Sequence, residues 1–316
     1  MTTGPKGCVL CPRACHADRD HGKTGYCQVD STVRVARASL HAWEEPCLSG
    51  TRGSGTVFFP GCPLGCVYCQ NRAIACGQEG VPVTEEELAE IFRKLQEMGA
   101  NNINLVTPTH YVPQIIPALK MAKRRGLTLP ILYNTGSYET VETLRLLDGL
   151  VDIYLPDLKY VDPALSTRYS HAPDYFTVAS AAIAEMVRQV GEPVFFPEGS
   201  VPGEDGPILK RGVLVRHMML PGGLADSKRV VRYLYDTYGD RIFLSLMSQY
   251  TPLPGVGARY PELQEKISWD DYFALEDYAL DLGVTQAFVQ EEEAASESFI
   301  PDFTGFDVRA FLTRPV

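Results

Sequence analysis

The sequence predicts an α/β fold built on a parallel sheet, with a cysteine-rich extension at its amino-terminal end. Three observations carry that expectation. Short apolar runs rich in β-branched and aromatic residues alternate with stretches of helical periodicity, the signature of repeated strand-helix units. Residues able to do chemistry fall just after those runs, where parallel α/β folds collect their ligands. All nine cysteines of the 316-residue chain stand before residue 77, so the long remainder builds its core without them. That length suits one large domain with an appendage, or two modest domains.

The first strand is Gly55-Thr56-Val57-Phe58-Phe59, a buried run of β-branched and aromatic side chains. Thr84-Glu85-Glu86-Glu87 then opens a helix with a capping-box start and early acids, and Leu88, Ile91, Phe92 and Leu95 follow at helical spacing. Further along, strands are expected over 102–106, 130–134, 152–157, 212–220 and 242–247, and helices over 117–125, 140–147, 173–190 and 227–238. These make six strand-helix units. By pattern alone a full eight-unit barrel or an open doubly wound sheet fits as well. The expected organisation is a leader over 1–50, an α/β body over 51–290 and a tail over 291–316. Glu291-Glu292-Glu293 and Phe299-Ile300-Pro301-Asp302-Phe303 are expected to cap the body, with docking of a partner as the alternative.

The formal charge of −10 argues against broad phosphate-backbone binding, which depends on lysine and arginine. Lys120, Lys123, Arg124 and Arg125 read as the solvated face of a helix. No apolar run approaches the roughly 20 residues that cross a bilayer, and Met1-Thr2-Thr3-Gly4-Pro5-Lys6-Gly7 has no signal-peptide core. A cytoplasmic protein without membrane or nucleic-acid partners is expected. In a reducing compartment clustered cysteines point to metal or iron-sulfur ligation rather than to disulfides.

Cys62, Cys66 and Cys69 stand in Pro60-Gly61-Cys62-Pro63-Leu64-Gly65-Cys66-Val67-Tyr68-Cys69-Gln70-Asn71, on the loop leaving the first strand. Their CxxxCxxC spacing supplies three thiolates where a four-iron cluster takes four ligands, so one iron is left open to bind something else. A zinc knot or an inert electron-transfer cluster is the alternative, with Cys76 as the fourth ligand. In that case the protein is a noncatalytic iron-sulfur or zinc-binding electron-transfer protein or scaffold.

CxxxCxxC with an aromatic before its last cysteine, after a first strand, resembles the radical S-adenosylmethionine (radical SAM) superfamily. The resemblance implies a partial (βα)6 barrel and a [4Fe-4S] cluster whose open iron takes the amino and carboxylate groups of S-adenosylmethionine. It also implies reductive cleavage to methionine and a 5′-deoxyadenosyl radical, and therefore an oxidoreductase fed by a low-potential donor such as flavodoxin or ferredoxin. The second strand ends in Thr107-Pro108-Thr109-His110-Tyr111, where many members have Gly-Gly-Glu. Thr107 and Thr109 stand in for that motif, and His110 is a proton shuttle, a substrate contact or a histidine satisfied in a turn.

Asn134-Thr135 at the third strand end and Asp157-Leu158-Lys159 at the fourth resemble the pyruvate formate-lyase activating enzymes, which implies contacts to S-adenosylmethionine from Asn134, Thr135, Asp157 and Lys159. A zwitterionic sulfonium ligand needs both a carboxylate and an ammonium nearby. Arg216, before Met218-Met219-Leu220-Pro221-Gly222, matches an arginine that reaches the cofactor carboxylate; a buried salt bridge is the alternative. Gln249 and Tyr250 fall where the family contacts adenine, and Tyr68 is placed to lie against that base.

Cys8, Cys11, Cys15 and Cys27 form a four-cysteine group that suits a structural zinc or an auxiliary iron-sulfur cluster; His16, His21 and Cys47 are alternative ligands. With His41-Ala42-Trp43-Glu44-Glu45-Pro46-Cys47 the leader resembles one branch of activating-enzyme-like proteins. That resemblance implies a glycyl-radical enzyme or a peptide as substrate.

Overall fold

The computed structural model describes residues 7–77, 79–290 and 303–315. The acidic run at 291–293 and the tail up to 302 lie outside the described residues. In chain order the strands are β1 (Arg34–Val35), β2 (Arg37–His41), β3 (Ser54–Phe58), β4 (Val81–Pro82), β5 (Ile103–Val106), β6 (Ile131–Thr135), β7 (Ile153–Pro156), β8 (Val194–Phe195), β9 (Leu209–Met218), β10 (Phe243–Met247) and β11 (Ala287–Val289). The helices are α1 (Pro46–Ser49), α2 (Arg72–Ala75), α3 (Glu85–Glu97), α4 (Val112–Arg124), α5 (Val141–Arg145), α6 (Pro163–Ser170), α7 (Tyr175–Val190), α8 (Leu224–Tyr238), α9 (Trp269–Leu282) and α10 (Val308–Thr313).

The main sheet runs β2-β3-β5-β6-β7-β9-β10-β11, with β8 added antiparallel to β9. Every neighbouring pair from β3 to β11 along that path is parallel. β2 runs antiparallel to β3 and ends the sheet opposite β11, so the barrel stays open. This is the expected partial α/β barrel. β3, β5 and β7 are buried along their whole lengths. Strands covered on both faces read as continuous apolar runs, which is why the pattern was legible.

The helices cover the outer face. Leu88, Ile91, Phe92 and Leu95 of α3 are fully buried, and Thr84 and Glu87 close the capping box with bonds of 3.1 and 2.9 Å. α4 begins at Val112 rather than at the expected 117. Pro117, which resembles a helix start, lies inside it, while Pro113 occupies the first turn, where its missing N–H is harmless. α6, α9 and the flanking strands β2 and β11 add to the six units.

The leader is built into this body. After β2, α1 inserts Cys47 and Leu48 among Leu132, Ile153, Leu155, Leu209 and Leu214, which fill the barrel interior. Asn102 and Asn101 catch the carbonyls of Leu48 and Ser49, each at 2.8 Å. Cys47 is therefore a small buried hydrophobe, and not a metal ligand.

His217 on β9 ties two elements together. Its Nδ1–H donates to the Leu158 carbonyl at 2.7 Å, and its Nε2 accepts from the Ser227 hydroxyl of α8 at 2.8 Å. Burial lowers its pKa to about 4, below the ordinary value near 6.5. As pH falls, the unfolded chain takes up the proton first, so stability is intact above about 6.5 and declines toward 4. The loss is up to about 1.4 kcal/mol per pH unit. Urea unfolding at pH 7 and pH 5 is expected to show this decline, with a flatter dependence in His217→Gln.

Candidate active site

A cavity of about 340 Å³ opens at the carboxyl ends of the parallel strands. Its volume lies in the range of small-molecule sites. Cys62, Cys66 and Cys69 line it together with Tyr68, Thr107, Asn134, Thr135, Asp157, Lys159 and Arg216, so these residues meet in one space. β11 adds Phe288, Val289 and Gln290, and the leader adds His41, Trp43, Glu44 and Glu45.

The triad loop is held at several points. The Leu64 N–H donates to Cys62 Sγ at 3.4 Å, and the Ser170 hydroxyl to Cys66 Sγ at 3.0 Å. Burial raises the thiols, Cys62 to about 11 and Cys69 to about 12, with Cys66 adding to both; the Lys159 ammonium pulls all three back. Bare, these sulfurs stay protonated, and a bound metal is what ionises such thiols. Cys76 is exposed and does not line the cavity. Among the described residues no three His, Cys, Asp or Glu side chains are set to share a single ion. Three thiols on one cavity wall, with no fourth cysteine among the lining residues, fit a four-iron cluster, whose thiolates each bind a different iron.

Asp157 and Lys159 form an ion pair, Nζ to Oδ2 2.5 Å, and both remain partly accessible to the cavity. Burial opposes the ammonium, but Asp157 and Cys66 outweigh it and hold Lys159 well above the ordinary lysine value. Arg216 has a different setting. Its Nε and Nη2 grip both oxygens of Glu45, at 2.8 and 2.7 Å, and its Nη2 also meets Glu44. Asn104 holds the other Glu44 oxygen at 2.8 Å. Burial raises the Glu45 carboxyl, yet Arg216 overrides it, and the net shift is downward. The arginine expected to reach a cofactor carboxylate is thus already committed to two leader glutamates.

The neighbouring aromatic side chains and His110 are held by protein partners. The Tyr68 hydroxyl pairs with that of Tyr160 at 2.6 Å, and its ring lies edge-on to Tyr169 and Tyr250. Tyr250 itself is buried with its hydroxyl on the Leu263 carbonyl, leaving Gln249 on the cavity wall. His110 is buried away from the cavity, its Nε2–H donating to the Pro60 carbonyl at 2.8 Å, and burial lowers it to about 3. It pins the triad loop as a neutral ring, the histidine satisfied in a turn.

Sequence reasoning missed Glu139, a carboxylate fully enclosed under the floor. Its Oε1 accepts from Thr109 and Thr135, both at 2.6 Å, and from Tyr133 at 3.3 Å, while Oε2 is buried without a partner among the described residues. The Thr135 hydroxyl is therefore turned down into the structure. Thr107 adopts a left-handed φ of 56° and donates its N–H to the Asn134 carbonyl at 2.9 Å. Backbone held in that region is strained, and the surrounding structure must keep it there.

The four leader cysteines lie outside the cavity. Cys8 and Cys27 are buried, Cys11 is half-buried and Cys15 is exposed. His21 is exposed and pairs with Asp18.

Residues 56–196 match the family model described as the Radical SAM superfamily. The matched region runs from β3 and its triad loop to β8. An uncharacterized protein of Methanocaldococcus jannaschii is 25% identical over 275 residues, which cover 84% of this chain and 72% of the relative. Streptococcus suis SuiB, solved bound to its precursor peptide SuiA, aligns at 14% identity and a TM-score of 0.49, over 80% of this chain and 52% of SuiB. The chain thus spans about half the length of SuiB. A domain of a pyruvate-formate lyase-activating enzyme from Bacteroides vulgatus aligns at 13% identity and a TM-score of 0.39, over 57% of this chain and 92% of that domain.

Arg216→Ala leaves two buried carboxylates facing each other without a cation. It is expected to cost about 3–5 kcal/mol in urea unfolding. Arg216→Lys is expected to recover only part of that loss, because an ammonium cannot form the two-pronged grip on Glu45.

Proposed function

We propose that this protein is a radical SAM enzyme, an oxidoreductase in which Cys62, Cys66 and Cys69 hold a [4Fe-4S] cluster and the adjoining cavity takes S-adenosylmethionine. The observation that carries this reading is the meeting of the triad with the Asp157–Lys159 pair in one cavity, within the region that matches the superfamily. A reduced cluster with S-adenosylmethionine bound supplies the chemistry: reductive cleavage of the sulfonium and abstraction of a substrate hydrogen.

The chain's own residues supply position and surroundings. The Leu64 N–H and the Ser170 hydroxyl donate to sulfur and favour the thiolates. Asp157 and Lys159 offer one charge of each sign to the methionyl amino and carboxylate groups. Asn134 and the main chain of Thr107 line the same wall. Because Arg216 is neutralised by Glu44 and Glu45, Lys159 is the cation left for a carboxylate on that side. Trp43, 63% exposed at the rim, offers a flat apolar surface to a substrate.

The finer reading is an activating enzyme that takes hydrogen from a backbone glycine of a glycyl-radical protein, or from another peptide. It is supported by the strand-end pattern of Asn134-Thr135, Asp157-x-Lys159 and Arg216. Among the described residues no helix is long and apolar enough to cross a membrane.

Anaerobically reconstituted protein reduced with dithionite is expected to produce 5′-deoxyadenosine from S-adenosylmethionine, and Cys66→Ala to produce none. Asp157→Asn is expected to weaken S-adenosylmethionine binding by about tenfold, the equivalent of about 1.4 kcal/mol for one charge-assisted contact. Absence of 5′-deoxyadenosine from protein with an intact four-iron cluster and bound S-adenosylmethionine would return the protein to the noncatalytic class.

A further inference from the structure

We propose that Cys8, Cys11, Cys15 and Cys27 hold a second metal centre, bound by four thiolates and distinct from the site at Cys62, Cys66 and Cys69. The argument begins with a charge rather than with the cysteines. Arg19 is 0% exposed, and a guanidinium stays protonated in proteins. Its hydrogen bonds run to the carbonyls of Val29 at 3.1 Å, His110 at 2.7 Å and Asp30 at 2.5 Å, and to Cys8 Sγ at 3.9 Å. None of these goes to a carboxylate. A buried cation held by carbonyls, with the Tyr111 ring 5.8 Å from it, is costly without an anion, and one of its N–H groups points at a sulfur.

That direction is the cysteine group. Nη1 faces Cys8 Sγ, and Arg19 also acts on the neighbouring Cys27. A metal-bound thiolate is an anion and would balance the guanidinium where its Nη1 meets Cys8 Sγ. The other two cysteines belong to the same cluster of sulfurs. Cys11 lies within electrostatic reach of Cys8 and Cys27, and Cys27 within reach of Cys8 and Cys15. The loop closes on itself through Cys8 N–H to the Ala17 carbonyl at 3.1 Å and His16 N–H to the Cys8 carbonyl at 3.0 Å. Gly25 packs directly on Cys15, since a Cβ there would stand 2.3 Å from Sγ. The absence of a side chain at Gly25 lets the segment leading to Cys27 pass that closely to Cys15.

Four thiolates suit iron or zinc alike. The second site would abut the first. Tyr26, next to Cys27, donates its hydroxyl to the Leu64 carbonyl at 3.3 Å, and Arg13 donates to the carbonyls of Pro63 and Leu64 at 2.9 and 3.1 Å. The proposal stands on Arg19 and the leader, independently of what the cavity binds.

The test is metal and sulfide analysis of the full chain, as isolated and after anaerobic reconstitution. The Cys62→Ala/Cys66→Ala/Cys69→Ala variant is expected to retain one centre. Iron with acid-labile sulfide makes that centre a cluster, and zinc without sulfide makes it a four-thiolate zinc; either supports the site. A Cys8→Ala/Cys11→Ala variant is expected to lose that centre and keep the triad's iron. Should the leader variant fail to fold, the triad variant alone decides. If that variant shows a cooperative thermal transition yet holds no metal, the second site is overturned. Arg19→Met is expected to speed release of the leader metal to a chelator by about tenfold or more, as loss of an outer-shell partner does. An unchanged release rate would overturn the charge argument.

Discussion

A guanidinium planted at the carboxyl end of an otherwise apolar strand has to be neutralised where it stands, and much of the architecture around the cavity follows from how that is done. Arg216 draws in Glu44 and Glu45 from the leader, and Asn104 fixes the second of Glu44's oxygens. Those contacts hold residues 41–46 on the cavity wall. They also set the entry of α1, whose Cys47 and Leu48 complete the packing inside the barrel. One ion cluster therefore links the edge strand β2, the barrel interior and the cavity wall. The pairing also leaves Lys159 and Asp157 as the accessible charges of that wall, which narrows what the cavity can select.

The triad loop shows a related economy of anchoring. A loop that carries ligands must be held by rigid elements if its sulfurs are to keep their positions. His110 holds Pro60 from the end of β5, and Gln70 reaches the Gln249 carbonyl beyond β10 at 2.9 Å. Arg13 and Tyr26 hold Pro63 and Leu64 from the leader. Glu139 braces Thr109, Thr135 and Tyr133 beneath the neighbouring strand ends. The loop is thus fixed from three directions by segments far apart in sequence.

The parallel strands were legible because burial on both faces forces continuous apolar runs, and α3 because its capping box and apolar stripe are local features. β2 and β11 were not, since edge strands are short and carry mixed side chains whose pairing depends on a distant neighbour. The start of α4 was misplaced because a proline reads as a boundary, and only packing shows that Pro117 is accommodated within the helix. For Tyr68, Tyr250 and His110, position after a strand left a ligand contact and a satisfied structural side chain equally open. Each proved to be a buried side chain with its polar atom on a protein partner.

By itself the sequence determined the α/β class, the triad and the strand-end residues Asn134, Asp157 and Lys159, because spacing within a loop and position after an apolar run are properties of neighbouring residues. Tertiary structure alone decided that Arg216 is answered by glutamates about 170 residues away, that Cys47 is core and that a buried Arg19 faces the leader cysteines. The physical reason is common to all three. Whether a charge or a thiol is free, paired or buried depends on which side chains the fold brings against it, and local spacing does not encode that.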